Sequence, residues 1–197
     1  MKTSAAIIAS TLSLSQAMLH FGKCPTPQVV NTMDRAAFAG NWYEIQRDNM
    51  FPMEITAECV THEYKLTNES ELDLRFRGWY AMMFFQYSGV GGQLLECGTS
   101  NDWTCQATMA GGDKRSAFNF LEVDTSSHNV LYVCEEMMDG AMYSDFVFIM
   151  SRDQKMDENK LAGIKDRVKA QLPDYDLSWF NMHSTIQGDT CQYEWTL

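Results

Sequence analysis

Short runs in which apolar and polar residues alternate recur along the chain, the period of half-buried β-strands. Trp42 to Arg47 reads as the first strand and Cys59 to Leu66 as the second, ended by the polar turn Thr67-Asn68-Glu69-Ser70. Leu72, Leu74 and Phe76 alternate with Asp73, Arg75 and Arg77, giving a strand with one dry and one wet face. From Trp79 to Tyr87 the chain is nearly all aromatic and Met, then breaks at Gly89-Val90-Gly91-Gly92. That run either extends the third strand past Gly78 or forms one of its own. Gln93 to Cys97 and Trp103 to Met109 flank Gly98-Thr99-Ser100-Asn101-Asp102 as a hairpin. Phe118 to Val123, Val130 to Cys134 and Asp145 to Met150 bring the total to about eight strands. One helix follows: Leu161, Ile164, Val168 and Leu172 share a face, Asp157 caps its start and Pro173 ends it.

Eight antiparallel strands with one late helix close into a barrel or stack as a sandwich, and the pattern alone leaves both open. The 197 residues suit a single domain with its own core, and no repeat or low-complexity linker divides them. A net charge of -11 repels phosphate backbones, so no nucleic-acid partner is expected.

The first residues have the form of an export signal. Lys2 supplies the positive end, Ala5 to Leu14 the short apolar run, and Ser15-Gln16-Ala17 a small-x-small cleavage site. The reading is a signal peptide over 1–17, a single domain over 18–197, and a secreted, extracellular protein. No later segment is apolar for long enough to span a bilayer. Export to an oxidising compartment makes the six cysteines disulfide partners, with fifteen pairings open. No Cys-x-x-Cys pair is present and the histidines are scattered, so no metal site is assigned. Cys97 and Cys105 sit across a short hairpin, where pairing with each other is the economical choice. Asn68-Glu69-Ser70 is a glycosylation sequon.

Gly40-Asn41-Trp42 opens the first strand about fifteen residues after Cys24-Pro25. Leu19 to Pro25, Phe38 to Ile45, Cys59 with Tyr64, Val130 to Cys134, and Asp145 to Arg152 then follow in order, with the helix and Cys191 behind them. This ordered set resembles the lipocalin family, and within it the apolipoprotein D branch. The resemblance lapses from about Gly78 to Ser116, and the family's second motif, Thr-Asp-Tyr, has only Val123-Asp124-Thr125 for a counterpart. It implies an all-β fold: an eight-stranded antiparallel up-and-down β-barrel with one C-terminal α-helix packed outside. It also implies that Trp42 plugs the closed end under Arg152 beside Gly40, and that Cys24 pairs with Cys134 and Cys59 with Cys191.

In a barrel every second side chain points inward. With Trp42 inside, Glu44 and Gln46 are expected to follow it inward; with Tyr64 inside, so are His62 and Val60. The resemblance places Phe146, Phe148 and Met150 on the inner face as well. Two Met-rich stretches, Met50-Phe51-Pro52-Met53 and Met137, Met138 and Met142, fall where the family has its open mouth. They suit adaptable hydrophobic contact, including transient contact with a membrane. The function implied is a secreted, non-enzymatic carrier of a small hydrophobic ligand such as a fatty acid, sterol, carotenoid or tetrapyrrole, with no cofactor required. The alternatives are a lipocalin-type isomerase or de-epoxidase using Glu44, His62 and Tyr64, a haem protein with His62 as axial ligand, and a protein-interaction or inhibitor barrel acting through its loops. Oligomeric state is not legible.

Overall fold

The computed structural model describes residues 19–32, 34–52, 54–80, 86–97, 103–108 and 115–193. Residues 1–17, expected to be a signal peptide, Met53 and the expected turn at 98–102 lie outside the described residues. The chain opens with β1 (His20–Phe21) and a single helical turn, α1 (Arg35–Phe38), whose N-cap Asp34 accepts from the amides of Ala36 and Ala37. The strands β2 (Gly40–Asp48), β3 (Ala57–Asn68), β4 (Glu71–Tyr80), β5 (Gln86–Glu96), β6 (Thr104–Thr108), β7 (Arg115–Asp124), β8 (His128–Met137) and β9 (Met142–Ser151) follow. Helix α2 (Glu158–Gln171) and β10 (Met182–Ser184) complete the chain.

Each strand from β2 to β9 pairs antiparallel with the next, and β9 returns to pair with β2. The result is a closed, eight-stranded up-and-down barrel. Closure removes the free edges that an open sheet of this length would expose. The short β1 and β10 add to the outside of β9 and β2.

The glycine run does not break the sheet. β4 continues past Gly78 to Tyr80, and β5 runs on through Gly89 to Gly92 with a bulge at Val90, pairing Gly89 with Arg77 and Gly92 with Arg75. Glycines keep their place in the sheet while removing the side chains from which a strand is read, so the stretch resembled a turn.

Alternation sorts the apolar residues into two layers. Trp42, Tyr64, Leu74, Phe76, Phe118, Phe120, Leu131, Val133, Phe146, Phe148 and Met150 belong to a cluster inside the barrel. Val130, Tyr132, Val147 and Ile149 point outward and pack under Ile164 and Val168 of α2 and Leu172 at its C-cap. Burying the helix's Ile164 and Val168 stabilises this contact by about 1.5–3 kcal/mol per side chain. Asp157 caps the helix, accepting from Asn159 and Lys160.

Disulfides join Cys24 to Cys134, Cys59 to Cys191 and Cys97 to Cys105. The first two tie the segments before and after the barrel to its wall.

Candidate functional site

The closed end is built around Trp42. Its indole nitrogen donates to the carbonyl of Phe38 at 3.0 Å, and the Arg152 guanidinium lies 3.6 Å from the ring centroid. That guanidinium donates to the carbonyls of Ala37, Phe38, Ala39, Asn41 and Thr125 at 2.9–3.1 Å. A planar cation with five donors suits a site of one aromatic face and several carbonyls. Gly40 has φ +106°, and a Cβ there would stand 3.4 Å from Arg152 Nη1, so both conformation and space favour glycine. Above the indole, Phe38 packs on Tyr64, Trp103 and Phe120 with centroids 4.8–5.2 Å apart, filling the bottom of the barrel with rings.

Higher on the same strand the interior changes character. Glu44, Glu54 and His62 are fully buried and Arg47 is 1% exposed. Arg47 Nη1 donates to Glu44 Oε1 at 2.8 Å and to Thr185 Oγ1 at 3.0 Å; Nη2 donates to the carbonyls of Glu54 and Ala57. His62 Nε2 lies 3.5 Å from Glu44 Oε2 and 3.7 Å from Glu54 Oε1. Neither imidazole nitrogen, neither Glu54 oxygen nor Glu44 Oε2 makes a hydrogen bond among the described residues. The Tyr64 hydroxyl is likewise buried and unpaired.

Strict alternation placed Gln46 inward and left Arg47 out. The register shows the reverse. Glu44 pairs with the inward Met150, but Gln46 pairs with the outward Ile149 and Arg47 with the inward Phe148. A bulge at Ile45 inserts one residue and inverts the phase of the strand beyond it. Gln46 instead donates to Ser184 of β10 at 2.9 Å. Glu54 comes from the turn between β2 and β3, where no periodicity marks it.

Burial penalises every charge in this cluster. For Glu44 that penalty is outweighed by Arg47 and His62, which hold its carboxyl well below the usual carboxylate range. For Glu54, burial and the neighbouring Glu44 together push the carboxyl well above the usual carboxylate range. Burial lowers His62 despite Glu44, keeping the imidazole neutral. Burial raises Tyr64, with Glu54 adding to the effect.

The remaining residues singled out above fall as follows. Tyr64, Phe146, Phe148 and Met150 share the interior cluster. Val60 is buried but falls in a small cluster with Ala57, apart from the interior cluster, at a bulge in β3 where Cys59 has φ +57°. Phe51 is buried over Phe146 and Phe148, with centroids 5.1 and 4.8 Å away. Met50 and Met138 are exposed and Met137 pairs with Met142, all at the end opposite Trp42. Asn68 is exposed at the end of β3, its side chain donating to Glu71 at 2.6 Å.

No family model matches the sequence. Among solved structures, lobster apocrustacyanin A1 aligns with a TM-score of 0.70 at 21% identity, over 90% of this chain and 95% of that one. Insecticyanin from the tobacco hornworm Manduca sexta aligns equally well, at 20% identity over 90% and 93%. The chain has the lipocalin fold. In sequence, apolipoprotein D of Oryctolagus cuniculus is 22% identical over 184 residues, covering 86% of this chain and 87% of the relative.

Proposed function

We propose that the protein is a secreted, non-enzymatic carrier, of the apolipoprotein D branch, that holds a small hydrophobic molecule in its barrel. The observation that carries this reading is the inner face of a closed barrel whose upper part combines aromatic walls with a few convergent polar groups. Phe146, Phe148, Phe76 and Met150 supply apolar surface, and the buried Tyr64 hydroxyl, with no protein partner, supplies a donor for a ligand carbonyl or carboxylate. Affinity comes from apolar ligand area removed from water, at about 25 cal/mol per Å² before the costs of association. Fatty acids, sterols, carotenoids and tetrapyrroles are the chemical range that such walls accept.

The end of the barrel opposite Trp42 supports loading. Phe51 covers the inner face, and Met50, Met137, Met138 and Met142 stand round it with soft side chains suited to transient contact with a lipid surface. Residues 1–17 direct export, and Asn68, exposed in a turn at the closed end, is a glycosylation site that leaves the rim free.

Titration of the delipidated protein with a fluorescent fatty-acid probe tests the reading. Saturable binding of one probe per chain, weakened by Phe148→Ala and Tyr64→Phe, is the expected outcome. Failure of fatty-acid, sterol and tetrapyrrole probes alike to bind would refute it.

A further inference from the structure

We propose that Glu44 Oε2, Glu54 Oε1 and His62 Nε2 form a site for one divalent transition-metal ion of the zinc class inside the barrel. One ligand atom from each residue lies within 4.8 Å of the others, and all three residues are fully buried. The imidazole nitrogen stands 3.5 and 3.7 Å from the two carboxylate oxygens. Those separations are too long for hydrogen bonds. They are close to the edge of a tetrahedron around an ion, roughly 3.3–3.5 Å for bonds of 2.0–2.1 Å.

The donors nearby are committed elsewhere. Arg47 turns two of its nitrogens to Glu44 Oε1, Thr185 and the carbonyls of Glu54 and Ala57. Its Nε faces Glu54 Oε2 at 3.7 Å. The guanidinium thus addresses the outer oxygen of each carboxylate and leaves the inner one directed at His62. Thr185 Oγ1 also donates to Glu44 Oε1, at 2.5 Å. This is how supporting residues orient carboxylate ligands. The imidazole plane is set by the ring of Phe76, edge-on with centroids 4.6 Å apart.

A purely structural polar network would be expected to pair its buried atoms. Here one imidazole N–H can serve only one of the facing oxygens, and a proton on Glu54 only one more, so buried atoms of the group stay without a hydrogen bond among the described residues. A dication satisfies both carboxylates and the imidazole together. One nitrogen and two oxygens favour zinc, cobalt or a similar ion. Calcium, which takes six to eight oxygens, and magnesium, which demands an oxygen octahedron, are poorly served. Three protein ligands leave a fourth position for water or for the anionic head of a cargo in the barrel.

This goes beyond the carrier reading, since the ligands belong to the chain and need no cargo. The test uses the mature chain with disulfides intact and no affinity tag, dialysed against a chelator and titrated with Co²⁺ and Zn²⁺. One ion per chain is expected, with Co²⁺ developing the visible absorption of tetrahedral coordination and Zn²⁺ displacing it. His62→Ala and Glu54→Gln should each weaken binding about tenfold or more. His183→Gln, whose ring pairs with Glu58 outside the barrel, should leave it unchanged. Should either interior variant fail to fold, ¹⁵N-imidazole spectra of the unaltered chain decide: a shift of His62 at one equivalent of Zn²⁺ supports the site. Sub-stoichiometric binding, affinity unchanged in His62→Ala, or shifts confined to other histidines would overturn it. Probe binding that persists through such a failure leaves the carrier reading standing.

Discussion

Trp42 and Glu44 are two residues apart on one strand, point into the same barrel and are equally buried, yet their surroundings obey different rules. Around Trp42 the indole N–H and Arg152 are matched: the indole donates to the carbonyl of Phe38, and Arg152 reaches that carbonyl and four more. Around Glu44 five buried oxygen and nitrogen atoms of Glu44, Glu54 and His62 lack a hydrogen bond among the described residues. An unpaired buried polar atom costs about 1–3 kcal/mol, so folding alone does not favour the second arrangement. The lower region is what holds the barrel shut. The upper region is where the chain departs from the cheapest core, as functional sites do.

Substitutions should separate the two regions. Arg47→Met leaves Glu44 buried without its cation and should cost about 3–5 kcal/mol in chemical denaturation. Trp42→Ala removes the plug and should cost a similar 3–5 kcal/mol as a cavity; an unchanged melting curve would contradict its place at the closed end. Replacing Cys59 and Cys191 together with Ala should cost about 2–4 kcal/mol, because the loop they close is long. Asp157→Ala should cost only about 1 kcal/mol, since it removes a helix cap outside the barrel.

The outer wall supplies a pH test with a definite sign. Burial raises the Glu122 carboxyl, but His128 and Arg167 outweigh it and hold it at about 2, against an ordinary value of 4.5. A folded pKa below the unfolded one means that the contribution is present above pH 4.5 and is lost as pH falls toward about 2. Glu122→Gln should therefore flatten the acid limb of the stability curve, and the effect should be small because Arg167 is exposed.

Much of the lower region is legible in the sequence, and little of the upper. The strands carrying Tyr132 and Phe146 read as continuous apolar runs because each buries one face in the barrel and the other under α2, and the strand carrying Trp42 keeps its phase only as far as Glu44. Helix α2 could be bounded because Asp157 and Pro173 mark its ends. The glycines of β5 offered no side chains by which to recognise a strand. Arg47 was hidden by the bulge at Ile45, which a period of two cannot anticipate, and Glu54 by its place in a turn. The meeting of these two with Glu44 and His62 depends on the barrel closing. Barrel closure itself, and the pairing of Cys24 with Cys134 and of Cys59 with Cys191, came from the family resemblance, since alternation and cysteine count leave several answers open.

Native mass spectrometry of the glycan-stripped protein, purified gently from its own source, bears most directly on the claim that the barrel interior is a binding site. The account predicts a discrete mass excess over the mature chain that is released by organic solvent and regained on adding the extracted molecule back. A chain that flies at its bare mass, and takes up none of that extract at any concentration, would contradict it.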